Sequence, residues 1–335
     1  MKQLVRKAKI IGTGSYVPET IYTNKYLETL VDTKDEWIQR TLGIRERRIA
    51  APEETTSDLA SKAGDNAIKD AGLTKNDIDL IIVATATPDR LAPSTAAIVQ
   101  DKLQAYNAVA FDITDHPVSS GFLYGMSVAS SFIASGVYDN ILVIGADTFS
   151  RITDWTRRDC VFFGDGAGAT VLSSANVNEG FIAYRLYTDG RGKYHYTVPA
   201  GGSEMPCTQE TLDNGLHYFQ MNGRAVYETA TKVLPEAIFQ VLEDTGLSID
   251  DIDLMIPHQP SIGILKETAR LINLPFEKVM INMDKYANTS GATIPLILDE
   301  TNRVGKIKNG SNILFAAVGS GWTYGAAIMR WSNGK

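Results

Sequence analysis

Cysteine is nearly absent from this chain. Its 335 residues include only Cys160 and Cys207, and neither belongs to a Cys-x-x-Cys pair. Disulfide-stapled folds and zinc clusters depend on several closely spaced cysteines, so we expect neither a disulfide framework nor a metal site. The scarcity of cysteine also favours a reducing compartment, and a cytoplasmic protein is the expectation.

An excess of positive charge and long apolar runs are missing too. The formal net charge is −7, whereas a nucleic-acid-binding protein needs a basic face that displaces counterions from phosphates. The basic start is followed by only Ile10 and Ile11 before a glycine, which is too short for a signal peptide. Residues 121–137 are rich in Gly, Ser and Ala, which suits a helix buried in protein rather than in lipid. We therefore expect neither a nucleic-acid partner nor a membrane partner.

What the chain does contain is a partial copy of itself. Residues 71–82 (AGLTKNDIDLII) align without gaps on residues 245–256 (TGLSIDDIDLMI). Each copy follows a stretch with apolar residues at three- and four-residue spacing, 58–70 or 225–244, which predicts a helix. The glycine of each copy suits a helix C-terminus, and a short apolar strand follows. The repeat therefore predicts two related α/β units.

Two further pairs of similar segments follow in the same order along the chain. Residues 119–121 (SSG) and 289–291 (TSG) each open an apolar helix. The glycine-rich residues 163–172 are similar to residues 318–329. Both pairs support a duplication that runs through the whole chain.

Helices that alternate with apolar strands predict a largely parallel sheet covered on both faces. Two such units fused by duplication would form a five-layered α/β/α/β/α sandwich. We assign the halves to residues 1–180 and 181–335. Residues 184–216, rich in Gly, Pro and polar side chains, are interpreted as the connection between the halves, part of which covers the mouth of a pocket.

Two polar side chains of the second half are candidate site residues. His258 follows an apolar strand, and open α/β sheets bind ligands at the carboxyl ends of their strands. Asn288 lies just before a predicted helix start. Each also has a simpler explanation, because a histidine can be hydrogen-bonded within a packed loop and asparagine is a good helix cap. From these two residues alone, both explanations stay open.

The loop before residue 121 carries a candidate nucleophile. Ser119 lies at the N-terminus of an apolar helix, where the helix dipole favours an activated hydroxyl but where capping is also common. Asp115 and His116 in the same loop are candidate added acid–base groups.

The glycine runs 164–168 and 319–321 resemble phosphate-binding loops only superficially. The GxGxxG pattern is absent, and each run leads into an apolar strand rather than a long helix. Close packing explains the glycines better, as do backbone N–H groups of Gly319 and Ser320 directed at an oxyanion.

Eight segments, spread nearly from end to end, stand in a recognisable order. They are 32–38 (DTKDEWI), 43–49 (GIRERRI), 110–112 (AFD), 121–124 (GFLY), 164–169 (GDGAGA), 257–259 (PHQ), 288–290 (NTS) and 319–325 (GSGWTYG). Together they resemble the β-ketoacyl-acyl-carrier-protein synthase III family of condensing enzymes. The resemblance implies a thiolase fold, an acyltransferase, a homodimer and a tunnel for a pantetheine arm. It implies no cofactor, since coenzyme A or a phosphopantetheine thioester would be the substrate.

The chain departs from that family at the nucleophile. In the family a cysteine stands two residues before the Gly-Phe that starts the buried helix, and a histidine and an asparagine act with it. His258 and Asn288 match the latter two positions. Ser119 occupies the position of the cysteine, and the segment 112–121 is two residues longer than in the family.

Four other positions bear on the substrate. Trp37 and Arg151 resemble the residues that stack on the adenine of coenzyme A in that family. Ala92 and Val318 stand where larger aromatic residues are common in it. Smaller side chains there would widen the pocket, so we expect room for a bulkier or branched acyl group.

Three functions remain open. In the first, Ser119 accepts an acyl group, His258 is the general base and Asn288 a hydrogen-bond donor, in a specialised fatty-acid or polyketide-type pathway. In the second, His258 and Asn288 alone decarboxylate a malonyl-type thioester. In the third, the chain is an inactive or scaffolding subunit that forms a heterodimer with an active relative. An acyl-coenzyme A or an acyl carrier protein is the expected partner of an active enzyme.

Overall fold

The computed structural model describes residues 6–114, 118–176 and 178–332. The strands are β1 (Lys7–Tyr16), β2 (Thr20–Thr23), β3 (Glu46–Ile49), β4 (Leu80–Thr85), β5 (Val109–Thr114), β6 (Ile141–Thr148), β7 (Asp165–Ala175), β8 (Gly180–Thr188), β9 (Tyr196–Thr197), β10 (Gln220–Met221), β11 (Leu254–Pro257), β12 (Asn312–Gly319) and β13 (Thr323–Arg330). The α-helices are α1 (Asn24–Leu27), α2 (Asp35–Leu42), α3 (Thr56–Asp70), α4 (Thr95–Leu103), α5 (Gly121–Ser135), α6 (Gln209–Asp213), α7 (Gly223–Thr245), α8 (Ile262–Leu271), α9 (Met283–Tyr286) and α10 (Thr293–Arg303). Short 3-10 helices span Lys75–Asp77, Phe149–Ile152, Arg158–Phe162, Gly190–Gly192, Ile249–Asp251, Phe276–Lys278 and Ser290–Ala292.

Two sheets form the framework of the molecule. The first has the strand order β1-β7-β6-β4-β5, and the second has the order β11-β12-β13-β8. Helices α3 and α4 cover the outer face of the first sheet, and α7 and α8 cover the outer face of the second. Helices α5 and α10 pack between the sheets in one continuous apolar core. The layers are therefore α/β/α/β/α, as expected from the sequence.

The repeat in the sequence is a repeat in the structure. In each half a long helix is followed by a left-handed glycine, Gly72 with φ 70° and Gly246 with φ 67°. A single 3-10 turn comes next, and its first donors are satisfied by a capping box at Thr74 or at Ser248. Strand β4 or β11 then enters the core. The same local signals thus build the same unit twice.

The expectation of largely parallel sheets is wrong. In the two large sheets of the described residues, β4 is parallel to β5 and β6, and β11 is parallel to β12. The pairs β1–β7, β6–β7, β12–β13 and β13–β8 are antiparallel. The reason is that β6 connects to β7, and β12 to β13, without a crossover α-helix, so each following strand must reverse direction.

The connection between the halves also differs from its assigned range. Residues 184–188 belong to β8, which lies at an edge of the second sheet beside β13. The irregular segment therefore begins after Thr188 and contains β9, β10 and α6. Because β8 already belongs to the second sheet, this segment lies within the second half and does not connect the two halves. The division of the chain at residue 180 stays a prediction.

The two halves meet backbone to backbone at three glycines. A Cβ on Gly145 would lie 2.1 Å from the carbonyl oxygen of Gly291, and one on Gly168 would lie 2.6 Å from the backbone nitrogen of Leu296. A Cβ on Gly319 would lie only 1.6 Å from the carbonyl oxygen of Val118. Only glycine permits these approaches, so the relative position of the halves is fixed by main-chain contact. No helix in the described ranges has the length and apolarity to cross a bilayer.

Candidate active site

Ser119 lies in the short connection between β5 and α5. Its backbone φ is 75°, a left-handed conformation that a residue with a side chain adopts only at a cost of order 1 kcal/mol. Helix α5 begins two residues later and buries Phe122 and Leu123 between the sheets. The serine is 6% exposed, and the positive end of the α5 dipole lies beside it. Strained backbone at a helix N-terminus is a common setting for a reactive side chain.

The loop that carries Ser119 rests on the turn between β12 and β13. Gly319 at the end of β12 touches the carbonyl of Val118, as described above. The hydroxyls of Ser120 and Thr323 are 2.7 Å apart, in hydrogen-bond contact. The Ser320 hydroxyl donates to the Tyr196 carbonyl at 2.6 Å. The structure therefore brings Gly319 and Ser320 to Ser119, as the sequence predicts.

His258 follows β11 and is buried, with 3% of its surface exposed. Its backbone N–H donates to the Ala316 carbonyl at 2.8 Å. Its Nδ1 lies 2.7 Å from the Thr293 hydroxyl, and that hydroxyl donates to the Ser290 carbonyl at 2.9 Å. Because the hydroxyl has only one proton, both bonds form only if Nδ1 is protonated and donates to Thr293. Nε2 then has a free lone pair, and burial lowers the pKa of the imidazole to about 3.

Asn288 lies on the loop that leads into α10. Its backbone N–H donates to the Phe162 carbonyl at 3.0 Å, and its carbonyl accepts from Gly164 at 3.1 Å. The side-chain Oδ1 accepts from the backbone N–H of Ser290 at 2.8 Å. Since Oδ1 is used by the loop, the amide presents its Nδ2 hydrogens as donors. Ser290 links Asn288 to the Thr293–His258 pair, so one loop orients both side chains.

A cavity of about 10 Å³ opens beside Ser119. That volume holds about one water molecule. Asp147, a residue that the sequence analysis did not single out, lines this cavity together with Ser119. The residues that line it are Ala84, Thr85, Ala86, Ile113, Val118, Ser119, Gly121, Asp147 and Gly291.

Asp147 is a fully buried carboxyl near the end of β6. Its Oδ1 accepts hydrogen bonds from the backbone N–H of Ala86 at 2.7 Å and from the hydroxyls of Thr85 at 3.1 Å and Thr87 at 3.0 Å. Its Oδ2 accepts from the backbone N–H of Gly291 at 2.8 Å. Burial raises its pKa to about 6, against the effect of these donors. A carboxyl that ends an otherwise apolar strand was the signal in the sequence that could have revealed it.

Comparison with known proteins identifies the family of this chain. The family model described as 3-oxoacyl-[acyl-carrier-protein (ACP)] synthase III matches residues 111–190, and the model of its C-terminal part matches residues 242–331. A β-ketoacyl-[acyl-carrier-protein] synthase III of Caldanaerobacter subterraneus is 48% identical over 327 residues, which cover 97% of this chain and 98% of that protein. The chain belongs to the 3-oxoacyl-acyl-carrier-protein synthase III family.

Solved structures of the family have the same architecture. The synthase III of Aquifex aeolicus superimposes with a TM-score of 0.90 at 42% identity, over 97% of this chain and all of that one. The priming β-ketosynthase of the R1128 polyketide pathway gives a TM-score of 0.90 at 28% identity, over 100% of this chain and 99% of that one. The thiolase-like fold expected from the sequence is thereby confirmed.

The stacking pair predicted for the family's adenine contact needs a correction. Arg151 does not lie against Trp37, because its guanidinium donates to the backbone carbonyls of Ala51, Pro52 and Glu54. The guanidinium of Arg158 lies over the Trp37 ring instead, 4.4 Å from its centroid. The two arginines flank the same irregular segment, and only its path decides which one reaches the tryptophan.

The wide pocket expected from Ala92 and Val318 stays a prediction, because neither residue lines the small cavity beside Ser119. Four aromatic rings, those of Phe149, Phe163, Tyr196 and Phe219, pack together on the far side of Ala86 and Val118. Phe149 stacks on Phe163 with ring centroids 4.4 Å apart, and Phe219 meets Phe163 edge-on at 4.6 Å. We call these four residues the aromatic cluster. Ala86 and Val118, which line the cavity, pack against this cluster.

Asp115 and His116 lie outside the described residues. Cys160 is buried, and burial raises the pKa of its thiol to about 11, so it is protonated at neutral pH and a poor nucleophile.

Proposed function

We propose that this chain is an acyltransferase that takes an acyl group from a thioester onto the hydroxyl of Ser119. The observation that carries the proposal is the buried, left-handed Ser119 two residues before the start of α5. The resemblance to the family aligns this serine with the nucleophilic cysteine, which supports its proposed role. The retained His258 and Asn288, held by one loop, support a second step at the same site. A fatty-acid or polyketide-type pathway would use the product.

In the first step, Ser119 Oγ bonds to the carbonyl carbon of the thioester while its proton passes to a base. The oxyanion that forms accepts hydrogen bonds from backbone N–H groups, for which Ser320, next to Gly319, is the candidate donor. The C–S bond then breaks and the thiol leaves. A serine hydroxyl is a weak nucleophile without a base nearby, so this step depends on its surroundings more than it would for a thiolate.

In the second step, an acceptor takes the acyl group from Ser119. The Nδ2 hydrogens of Asn288 can donate to a carbonyl or enolate oxygen, and the Nε2 lone pair of His258 can accept a proton from the acceptor. With an alcohol or amine acceptor the product is an ester or an amide. With a malonyl-type thioester the product is a new carbon–carbon bond, and carbon dioxide is released.

The acyl donor is proposed to be acyl-coenzyme A or an acyl carrier protein. The Arg158 guanidinium lies over the Trp37 ring, which supports coenzyme A as the donor. If the guanidinium moves off the ring, the adenine of coenzyme A can stack between the two groups. Both partners share the phosphopantetheine thioester. The chain itself needs no further cofactor for the two steps above.

A homodimer is proposed through the edge of the first sheet. Strand β5 is the edge strand, and Val109 at its start is 50% exposed. Tyr106 is 65% exposed and Leu91 91% exposed, which is apolar surface suited to burial in an interface. Light scattering is expected to give twice the mass of one chain. A monomer that pairs only with a cysteine-bearing relative would favour the scaffolding subunit instead.

The function is tested by intact-protein mass after incubation with a panel of acyl-coenzyme A thioesters, with thiol release followed in parallel. We expect an acyl adduct in the wild type that is lost in Ser119→Ala. The matched control is Ser131→Ala, which removes an exposed hydroxyl farther along α5 and should keep the adduct. Thiol or carbon dioxide release without an adduct, dependent on His258, would move the assignment to non-covalent decarboxylation. If no adduct and no turnover are seen with any thioester or carrier protein, an enzymatic role is refuted.

A further inference from the structure

The hydrogen bonds of His258 determine which of its ring nitrogens carries a proton. Nδ1 lies 2.7 Å from the Thr293 hydroxyl, and that hydroxyl donates its single proton to the Ser290 carbonyl at 2.9 Å. Thr293 therefore accepts from Nδ1, which must be protonated. Burial lowers the pKa of the imidazole to about 3, so the ring is uncharged at neutral pH. Its one proton is on Nδ1, and Nε2 presents a lone pair.

The two segments that hold His258 also meet the surroundings of Ser119. The His258 backbone N–H donates to the Ala316 carbonyl of β12, the strand that ends at the turn supporting the Ser119 loop. Thr293 begins α10 two residues after Gly291, and Gly291 lines the cavity beside Ser119. The acyl group on Ser119 and the imidazole therefore belong to one site.

A malonyl-type acceptor needs hydrogen-bond donors for the enolate that forms when carbon dioxide leaves. The Nδ2 hydrogens of Asn288 provide one donor, because Oδ1 is held by the backbone N–H of Ser290. His258 in the tautomer described presents a lone pair in place of a second donor, and a lone pair repels an anionic oxygen. Loss of one donor from an oxyanion site slows a reaction by about 100-fold to 1,000-fold. The tautomer therefore disfavours formation of a carbon–carbon bond.

An alcohol or an amine needs the opposite arrangement. Such an acceptor must lose a proton as it attacks the acyl carbon, and an unprotonated Nε2 is a group that can take it. The oxyanion that forms on the acyl group in the same step offsets the positive charge gained by the imidazole. The state of His258 thus matches an acceptor with an O–H or N–H group.

We propose that the acceptor is an alcohol or an amine, selected over a malonyl-type thioester by the unprotonated Nε2 of His258, whose tautomer is set by Thr293. This inference rests on the acylation of Ser119 proposed above. The acceptor oxygen or nitrogen bonds to the acyl carbon, and its proton passes to Nε2. The bond between the acyl carbon and Ser119 Oγ then breaks, and the proton moves from Nε2 to Oγ. The products are an ester or an amide and the free serine, and no carbon dioxide is released.

The tautomer is tested first, because it can be measured without an acceptor. Nitrogen-15 NMR at neutral pH distinguishes protonated from unprotonated ring nitrogens. The chain has four histidines, so the His258 signals are assigned by their loss in His258→Gln. We expect a protonated Nδ1 and an unprotonated Nε2 in the wild type and in Thr293→Ser, which keeps the hydroxyl. Thr293→Val removes the acceptor of the Nδ1 proton and should lower the ratio of this tautomer to the other by about 10-fold.

The acceptor class is tested by discharge of the acyl adduct on Ser119, followed by intact-protein mass. The probes are butylamine, 1-butanol and malonyl-coenzyme A, and each second-order rate is corrected for loss of the adduct in buffer. We expect the two protic probes to discharge the wild-type adduct about 100-fold faster than malonyl-coenzyme A, or more. Discharge by these two probes should be about 10-fold slower in Thr293→Val than in Thr293→Ser.

Two results would overturn the acceptor class while leaving the acylation of Ser119 intact. One is an adduct that malonyl-coenzyme A discharges, with release of carbon dioxide, at least as fast as the protic probes do. The other is an adduct that neither protic probe discharges. A protonated Nε2 in the wild type, or a Thr293→Val variant that equals Thr293→Ser in both measurements, would refute selection by His258. A wild type that forms no adduct refutes the acylation of Ser119 and the acceptor class with it.

Discussion

Phe149→Ala tests whether the aromatic cluster limits the size of the acyl group. Phe149 is 1% exposed and stacks on Phe163. Ala86 and Val118 line the cavity beside Ser119 and also pack against the cluster. Removing the Phe149 ring should therefore extend the cavity into space that is now filled. The variant is expected to lose stability and to accept longer acyl chains.

Both magnitudes follow from the burial of one ring. Truncation of a buried phenylalanine costs about 3–5 kcal/mol in the free energy of unfolding. For 335 residues the entropy of unfolding at Tm is about 0.7 kcal/mol per kelvin, so Tm should fall by about 4–7 °C. Each acyl methylene that enters the new space contributes about 0.8 kcal/mol, or about a fourfold preference per carbon.

The assay combines thermal unfolding with competition among acyl-coenzyme A thioesters from acetyl to octanoyl, read as adduct mass on Ser119. The control is Phe181→Ala, a similarly buried ring that packs on Tyr184 and Phe315 in the central core. It should lower Tm by a similar amount without changing the chain-length profile. If Phe149→Ala lowers Tm but keeps the wild-type profile, the aromatic cluster is not a wall of the acyl site. If Tm does not change, the packing argument itself is wrong.

Three further predictions concern the loops around Ser119 and the buried carboxyl. In Gly319→Ala the new Cβ must displace the Val118 carbonyl, so acylation should fall by about 100-fold with unchanged circular dichroism, and a loss under tenfold would contradict the main-chain contact. Thr293→Val removes the acceptor of the His258 Nδ1 proton. Transfer of the acyl group from Ser119 to the acceptor should therefore slow by about 10-fold or more, while acylation of Ser119 is unchanged. Equal slowing of both steps would contradict this role of Thr293. Because the pKa of Asp147 is raised to about 6 in the folded state, its contribution to stability is most favourable below pH 4 and should fall by about 3 kcal/mol as the pH rises through 6. Chemical unfolding of Asp147→Asn should lack that decrease, and parallel pH curves for the two proteins would refute it.

The helices and the repeat were predictable because their signals are local. The predicted helix 58–70 is observed as Thr56–Asp70, and the predicted helix 225–244 as Gly223–Thr245. Apolar spacing, a left-handed glycine and a capping box each act within a few residues. The duplication then supplied the layers, since two fused α/β units predict a five-layered α/β/α/β/α sandwich.

Strand direction and the surroundings of the site were not predictable in the same way. The glycine run at 164–168 predicts a strand, but nothing in it states that β7 returns antiparallel to β6. Asp147 accepts a hydrogen bond from the backbone N–H of Gly291, which lies 144 residues away in the sequence. The choice between Arg151 and Arg158 depends on the path of the 3-10 segments between β6 and β7. Such facts depend on which distant segments meet, and the local sequence does not encode them.

At Gly145, Gly168 and Gly319 the two halves are positioned by backbone contacts that only glycine permits. Substitutions at neighbouring positions that keep these glycines therefore leave these contacts in place. The chain is thus a suitable recipient for grafted halves: a chimera should assemble if it keeps the three glycines and the apolar residues that pack between the two sheets.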